Sequence, residues 1–371
     1  MTLMSSSGSA KQTAVIDALE RELTEMITAL TEALKADVKC LPTDAIDAFS
    51  RSATLFRHRL LMQLQGTNSA MTARTVARQA ADIPQFAGDF EQMRLQELQA
   101  KAKHWESRFQ AIRACMTRIR TSEPQGLFPD DLPDDNLTKR LIERLSDVVL
   151  MLDFYANNQP QHPDMAEYGS YSDVRLSPVA FGEYVHAAYR IMLALRGERH
   201  IKFLDVGCGG GVKVLSAAHF FRRSDGIELD PGYADAARTL FDAFPQEGCR
   251  VFEEDALGSE RYGEYDVIYF FQPMQDSEKL TALEDRIVEM ARPGTLLIAP
   301  YPGFRERIEE LNTASVAGRI YIKGWTQDEA DTLRARAELI GPDTRARSLK
   351  TPWETVWQPL IDACLDRGYA P

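Results

Sequence analysis

Alternating glycines follow a short apolar segment near the middle of the chain and constrain its fold more than any other feature. Residues 201–206 read Ile-Lys-Phe-Leu-Asp-Val, and glycines occupy positions 207, 209 and 211. Glycine is needed where the backbone takes a positive φ or approaches a ligand closely. Residues 212–218 have the composition and spacing of a helix. The sequence therefore predicts a strand, a tight loop for a nucleotide-like ligand and a helix in one unit.

The spacing of these glycines separates two classes of cofactor. A dinucleotide-binding loop, G-x-G-x-x-G, would place its third glycine at position 212, which is Val212. A nicotinamide-dependent oxidoreductase is therefore disfavoured. The pattern present, acid-x-Gly-x-Gly-x-Gly, resembles the first motif of the class I S-adenosylmethionine-dependent methyltransferases. The resemblance implies S-adenosylmethionine as the cofactor and predicts that it contacts Asp205, Gly207, Cys208, Gly209 and Gly211.

The next two predicted strands, 224–228 and 249–255, each end in an acidic residue. A carboxylate at the tip of the second strand, Glu228, can accept hydrogen bonds from both hydroxyls of a ribose. In the methyltransferase family, an acid after the third strand accepts from the adenine amino group, and the next backbone N–H reaches a ring nitrogen. Asp255 and Ala256 match those positions, while the neighbouring acids 253 and 254 leave two other registers open.

Strands and helices continue to alternate toward the carboxyl end. Strands are predicted over 265–271 and 293–299, with an amphipathic helix over 278–292 between them. Such alternation predicts an α/β fold with a doubly wound, mostly parallel sheet, which is also the class I methyltransferase fold. A sixth strand is predicted at 319–323, after which either residues 347–350 complete the sheet or the sheet is shorter. The resemblance spans roughly residues 177–323.

The end of the fourth strand is the place where methyl transfer is expected. Family members that methylate the amino groups of nucleic acid bases or glutamine have Asn/Asp-Pro-Pro-Tyr/Phe there, whereas this chain keeps only a polar residue before proline, Gln272. Gln272 is the predicted catalytic residue, orienting the acceptor, or it merely caps the strand. Leu229 and Phe271, beside the ends of strands two and four, complete the predicted cofactor contacts in the sheet. Transfer from a sulfonium needs mainly positioning, so catalysis is compatible with the lack of an evident base.

The segment before the first strand is predicted to cover the cofactor. Tyr168 and Tyr171 faintly resemble the paired tyrosines of protein arginine methyltransferases. The remaining signature of that family, a loop with two glutamates after the fourth strand, is absent, so its activity is not inferred. We expect Tyr171 to cover the methionine end of S-adenosylmethionine, which predicts weaker cofactor binding in Tyr171→Ala.

The first third of the chain has a different pattern, with apolar residues at three- and four-residue steps. This pattern predicts an α-helical bundle or hairpin over 11–120, after a disordered tail at 1–10. The apolar faces of these helices pack either against one another within one chain or against a second copy, as a homodimer through the amino-terminal helices. Breaker-rich residues 121–135 are predicted to be a linker. Residues 136–371 are assigned to the methyltransferase domain, with leading helices and a carboxyl-terminal extension that carries Trp353 and Trp357.

Charge restricts the partners of the predicted enzyme. Residues 1–125 contain 16 basic and 14 acidic residues, and the remainder contains 27 basic and 41 acidic residues. An acidic catalytic half repels nucleic acid phosphates, so a small-molecule or protein acceptor is favoured. The alternative is a non-catalytic scaffold that keeps the cofactor fold for binding. The five cysteines lack the spacing of metal ligands, which predicts a protein of the reducing cytoplasm without metal or disulfides. No apolar run approaches membrane-spanning length.

Overall fold

The computed structural model describes residues 6–36, 42–81, 89–130, 133–156, 162–168, 176–197, 200–245, 248–343 and 356–371. Its contacts divide the chain into two compact units. The first, here called the helical unit, comprises Met1–Ser122 and Ala346–Pro371. The second, the α/β unit, comprises Glu123–Arg345. The amino acid sequence of the second unit is thus inserted between two parts of the first.

Helices and strands are numbered in chain order over the described residues. The helices are α1 (Ser6–Ala36), α2 (Thr43–Ala81), α3 (Asp89–Thr121), α4 (Leu137–Ala156), α5 (Pro163–Tyr168), α6 (Pro178–Arg196), α7 (Val212–Ala217), α8 (Pro231–Ala243), α9 (Ser277–Met290), α10 (Pro302–Glu306), α11 (Gln327–Ala337) and α12 (Gln358–Asp366). The strands are β1 (Lys202–Val206), β2 (Arg223–Glu228), β3 (Cys249–Glu253), β4 (Val267–Phe270), β5 (Leu296–Ile298), β6 (Thr313–Ala317) and β7 (Ile320–Lys323).

The helical unit packs α1, α2, α3 and α12 around one apolar core. The three- and four-residue repeats of the sequence place one face of each long helix in this core, as expected for helices that pack on one another. Phe109 of α3 contacts Phe56 of α2, and its ring also meets Trp357 edge-on, with 5.0 Å between the ring centroids. The buried side chains of this core are at most 5% exposed, among them Leu19, Leu23, Ile27, Leu30, Phe56, Leu60, Trp105, Phe109 and Trp357.

Two boundaries differ from those expected from the sequence. Helix α1 begins at Ser6, so residues 6–10 belong to a helix rather than to a disordered tail, since adding residues to an existing helix costs little. Helix α12 belongs to the helical unit and not to a domain running from 136 to 371. Its apolar face is buried there, and the Arg367 Nε donates to the backbone carbonyl of Leu34 at 2.9 Å. Trp353 lies outside the described residues.

The α/β unit contains a seven-stranded sheet of order β3-β2-β1-β4-β5-β7-β6. Strands β1 to β5 are parallel, and β7 is antiparallel to both β5 and β6. This arrangement confirms the predicted doubly wound, mostly parallel sheet. The alternative of a shorter sheet is wrong, because Thr313–Ala317 forms β6 and hairpins with β7. Its small residues, Thr-Ala-Ser-Val-Ala, give only a weak strand signal. Residues 347–350 lie outside the described residues.

A buried carboxylate joins the starting ends of the central strands. Asp266, which is 2% exposed, accepts the backbone N–H of Lys202 at 2.9 Å. It also pairs with Arg196 at the end of α6 and with Arg292 after α9, at 2.9 and 2.8 Å. Because buried carboxylates are stable only when paired and hydrogen-bonded, this cluster fixes β1, β4 and α6 relative to one another. The opposite edge, where parallel strands end, is the usual ligand edge of such sheets.

Several kinds of site are not found among the residues that the structure describes. No group of three or more His, Cys, Asp or Glu side chains could hold a metal ion. The described cysteines, Cys115, Cys208, Cys249 and Cys364, form no disulfide. In the same part of the chain, no helix combines the length and apolar character needed to cross a membrane.

Candidate functional site

The glycine loop leaves the end of β1 and enters α7 through three left-handed residues. Gly207, Gly209 and Gly211 have φ angles of 77°, 53° and 82°, a conformation that strains residues with a side chain. A Cβ at Gly207 would lie 2.8 Å from the Pro273 side chain, and one at Gly211 would meet Ala237 at 2.8 Å. The spacing read from the sequence therefore corresponds to three positions where the backbone requires glycine.

Glu228, at the end of β2, lies against this loop. Its carboxylate accepts the backbone N–H of Gly209 at 2.8 Å and that of Asp230 at 2.9 Å. Burial raises the pKa of the Glu228 carboxyl above its usual value, and the two N–H donors oppose this shift. Parallel pairing brings β1 and β2 side by side, so two separate sequence motifs meet at one point.

The raised pKa of Glu228 has a consequence for stability. A carboxyl with a raised pKa in the folded chain favours folding most when protonated, and this contribution is lost as pH rises through the folded pKa. The ionised carboxylate is therefore less favourable to folding than the protonated carboxyl as the pH rises toward neutral. We expect the unfolding temperature of Glu228→Gln, relative to that of the unmodified chain, to rise by a few degrees between the usual glutamate range and pH 7, measured by calorimetry, because glutamine does not ionise. A constant difference between the two chains over this range would contradict this account.

Asp230 organises the chain just after β2, a role that the sequence did not reveal. Its carboxylate caps α8 by accepting the N–H groups of Gly232 and Tyr233, at 2.8 and 3.4 Å. It also accepts the backbone N–H of His162 at 2.7 Å, which ties the segment before the sheet to the ligand edge. Leu229, a predicted cofactor contact, is half-buried between these two acids. An Asp before Pro at a helix start is the signal that could have identified this cap.

The third predicted acid lies beyond its strand rather than at its last residue. Strand β3 ends at Glu253, and Asp255 accepts the N–H of Leu257 at 2.9 Å in the following turn. The carbonyl of Ala256 accepts the buried Tyr262 hydroxyl at 2.6 Å.

The two alternative acids in this segment are both in ion pairs. Glu253 pairs with Arg238 at 2.9 Å, and Glu254 pairs with Arg261 at 3.0 Å. The Glu254 backbone N–H also donates to the Glu228 carbonyl at 3.0 Å, which holds this turn beside the end of β2.

Two of the loop's predicted contacts are buried in the fold. Asp205 is 1% exposed on β1, in register between Gly226 on β2 and Tyr269 on β4. Cys208 is 6% exposed, and a Cβ at Gly226 would lie 2.4 Å from its sulfur. Burial, together with nearby acidic charges, raises the pKa of the Cys208 thiol well above its usual value. The thiol is therefore a packed side chain rather than a nucleophile.

The end of β4 lies next to the glycine loop through the contact of Pro273 with Gly207. Phe271 is half-buried, and Gln272 is exposed with a φ of 43°. A residue with a side chain in this conformation is uncommon and is often found at a functional site. The structure thus brings the predicted catalytic position beside the predicted cofactor loop. Tyr171 lies outside the described residues.

A cleft of about 480 Å³, including open solvent, adjoins the glycine loop. Its walls come from the glycine loop entering α7 and from α4 and the start of α6, and no sequence motif marked the last two. They do not include Glu228 or Asp255, so the cleft touches only one side of the loop. The lining residues are Leu150, Leu176, Pro178, Phe181, Cys208, Gly210, Gly211, Val212, Lys213 and Ser216.

Comparison with known proteins gives similarity at the level of the fold. No protein-family model matches the sequence, and no curated protein sequence matches it. One similar solved structure is an RNA methyltransferase from Salinibacter ruber in complex with S-adenosyl-L-homocysteine, with 20% identity and a TM-score of 0.30. The match covers 40% of this chain and 91% of that protein.

Two further solved structures are similar over part of this chain. Magnesium protoporphyrin IX methyltransferase from Synechocystis, with bound S-adenosylmethionine, is 14% identical, with coverage of 48% of this chain and 97% of that one and a TM-score of 0.31. PKMT2 from Rickettsia typhi, in complex with AdoHcy, is 19% identical, with coverage of 33% and 28% and a TM-score of 0.27. At these identities the similarity concerns the fold alone. The predicted doubly wound, mostly parallel sheet of the α/β unit is confirmed by its own strand order and pairing.

Proposed function

We propose that this chain is an S-adenosylmethionine-dependent methyltransferase. The observation that carries the proposal is the Glu228 carboxylate, held 2.8 Å from the N–H of Gly209 in a loop of three left-handed glycines. A half-buried acid beside a loop without side chains offers hydrogen-bond acceptors to a ribose and space for the rest of a nucleoside. The neighbouring turn at Asp255 follows the adjacent strand, where the resemblance places adenine.

The residues present fit this cofactor. Backbone groups of the glycine loop would contact it next to Asp205, and Glu228 would accept from the ribose hydroxyls. The Asp255 side chain and the Ala256 N–H would recognise adenine. Side chains flanking these positions would enclose the cofactor, namely Leu229 and Phe271, with Tyr171 covering its methionine end.

Methyl transfer requires little of the protein beyond positioning of the cofactor and the acceptor. When bound, S-adenosylmethionine supplies a methyl group already activated on a sulfonium. The chain must hold the acceptor in line with that group and exclude water. Gln272 is suited to hold the acceptor, because its side chain is exposed at the end of β4 beside the loop.

We propose a small molecule or a protein as the acceptor. Residues 126–371 contain 27 basic and 41 acidic residues, a balance that disfavours binding to nucleic acid phosphates. The cleft beside the loop is walled largely by apolar side chains, including Leu150, Leu176 and Phe181. Such a lining suits an acceptor with an apolar portion better than a polyanion.

Removal of the Gln272 side chain tests whether this residue orients the acceptor or only caps the strand. We expect Gln272→Gly to lower kcat/KM for methyl transfer by about tenfold, because one oriented hydrogen bond to the acceptor is lost. Glycine accepts the φ of 43° without strain, so the fold should be preserved. Cofactor affinity, measured by calorimetry, should stay within about twofold of the unmodified chain. Unchanged kcat/KM would assign Gln272 to capping the strand.

Calorimetric titration tests the cofactor class. We expect binding of S-adenosylmethionine and of S-adenosylhomocysteine but not of NAD, and failure of both sulfur nucleosides to bind would overturn the proposal. Incubation with labelled cofactor and cell extract then separates an enzyme from a scaffold. Label in small molecules or proteins supports the proposed acceptor classes, and label in RNA contradicts them. Binding without any transfer would support a non-catalytic scaffold.

A further inference from the structure

Helix α4 exposes far more apolar surface than a surface helix of a monomeric protein usually does. Apolar side chains on soluble proteins are scattered, and contiguous patches above a few hundred Å² mark interaction sites. Ten large apolar residues of this single helix are between 37% and 78% exposed: Leu137, Leu141, Ile142, Leu145, Val148, Val149, Met151, Leu152, Phe154 and Tyr155.

Five of these residues follow the spacing of a coiled-coil seam. Leu141, Leu145, Val148, Leu152 and Tyr155 are separated by four, three, four and three positions. This alternation places one stripe on the helix and fits the side-chain packing of a second helix. We call these five residues the α4 seam.

The opposite face of α4 is the one that packs within the α/β unit. Ser146 is 6% exposed, and its hydroxyl is 2.8 Å from the Ser177 hydroxyl just before α6. Leu150, one turn further, lines the cleft beside the glycine loop. Because residues 146 and 150 lie on the side of the helix away from the seam, α4 is held by one face and presents the other.

The charges of α4 are complementary to those of a second α4 that runs in the opposite direction. Residues 137–145 contain three basic residues and one acidic residue, whereas residues 146–156 contain two acidic residues and no basic one. Antiparallel pairing of two copies sets each basic half against an acidic half. Parallel pairing would set like charges together. The helix as a whole carries no net charge, which does not suit an anionic lipid surface.

We propose that the α4 seam pairs with the α4 seam of a second copy of this chain, antiparallel and around a two-fold axis. Each seam then meets an identical seam, which is the self-complementary contact of a two-fold dimer. The same pairing fixes the helix that carries Leu150, one wall of the cleft. This interface differs from a dimer through the amino-terminal helices, because it is built from the α/β unit.

Sedimentation of the full chain tests the proposed dimer. We expect a dimer at micromolar concentrations and a dissociation constant at least about tenfold higher in Leu145→Glu/Leu152→Glu, since charges replace buried leucines. Leu55→Glu is the matched control, because Leu55 is 68% exposed on α2 and should tolerate the change. A dimer that is unaffected by the α4 variant, or a chain that is monomeric throughout, would overturn the proposal.

Charge reversal tests the direction of pairing. Arg140→Glu/Arg144→Glu should weaken an antiparallel dimer, and adding Asp147→Lys/Asp153→Lys in the same chain should restore it. An unchanged dimer in the first variant would reject the antiparallel arrangement.

Two further outcomes overturn the proposal in favour of another occupant of the seam. One is a monomeric chain that binds anionic vesicles through α4. The other is a monomeric chain whose unfolding temperature is lowered by Leu145→Glu/Leu152→Glu, which indicates that the α4 seam packs against another part of the same chain.

Discussion

Replacement of Glu228 by alanine is expected to weaken S-adenosylmethionine binding by about 100-fold, measured by calorimetric titration. Hydrogen bonds to a charged group contribute about 1.5–3 kcal/mol each, and a ribose presents two hydroxyls to this carboxylate. The alanine variant also leaves the N–H groups of Gly209 and Asp230 without their carboxylate acceptor. The glycine loop should therefore lose both its ligand contact and part of its support.

Glu253 provides a matched control for this experiment. It is the register partner of Glu228 on the adjacent strand, and its carboxylate pairs with Arg238 on the surface. Glu253→Ala should change cofactor affinity by less than about twofold, because exposed ion pairs contribute little. Equal losses in both variants would point to general destabilisation of the sheet edge, and no loss in Glu228→Ala would remove the main support for the proposed function.

The affinity for S-adenosylmethionine should also depend on pH through Glu228. Burial raises the pKa of this carboxyl, and the protonated form offers fewer acceptors to the ribose. Affinity should fall as the pH is lowered through the raised pKa, beginning above the usual glutamate range. In Glu228→Gln this dependence should be absent. If the unmodified chain kept a constant affinity for S-adenosylmethionine down to the usual glutamate pKa range, the assignment of Glu228 to the ribose would be contradicted.

Replacement of Arg190 by alanine is expected to give the largest loss of stability, about 3–5 kcal/mol in the free energy of unfolding. This guanidinium is 2% exposed on α6 and donates to the backbone carbonyls of Gln125, Gly126 and Ile340, at 2.9, 2.8 and 3.0 Å. Hydrogen bonds to a charged group contribute about 1.5–3 kcal/mol each, and the carbonyl of the buried residue Ile340 loses its donor. Denaturant unfolding followed by circular dichroism measures the change.

The role of Arg190 is to hold the segment before α4 and the end of α11 against the same helix. Arg190→Lys keeps the charge but not the fork of donors, so an intermediate loss is expected. Arg334→Ala is the matched control, since its guanidinium is 54% exposed and pairs only across one helical turn with Glu338. The control should lose less than about 0.5 kcal/mol. Similar losses of unfolding free energy in Arg190→Ala and Arg334→Ala would exclude the proposed role of Arg190.

The glycine loop and the parallel strands could be predicted because their signals are local. Strand β1, the left-handed glycines and α7 occupy 16 consecutive residues, Lys202–Ala217, and each position restricts its own backbone. Glu228 could be placed beside them because parallel strands that follow one another usually end at the same edge. The capping box of α11, in which Thr326 and Glu329 bond to each other's backbone N–H groups, is a local signal of the same kind.

The remaining features depend on contacts between distant residues. Strand β6 is built from small residues, so its pairing with β7 rather than its composition makes it a strand. Trp357 could be predicted to be buried by its size, but not that it packs against Phe109. The apolar pattern of α4 resembled an ordinary core-facing stripe, and only the structure reveals that those side chains are exposed. The lining of the cleft likewise combines residues from three separate segments.

Because the α/β unit interrupts the helical unit in the chain, its described strands are synthesised before the helical unit is complete. The seven described strands have been synthesised once residue 323 is complete, whereas the helical core also requires Trp357 and α12. The hydrogen bond from Arg367 to Leu34 closes a loop across a sequence separation of 333 residues. Until α12 has been synthesised, α1, α2 and α3 lack the helix that completes their core. Nascent chains are therefore expected to expose apolar helical surface longest at their amino-terminal end, where a chaperone could bind it.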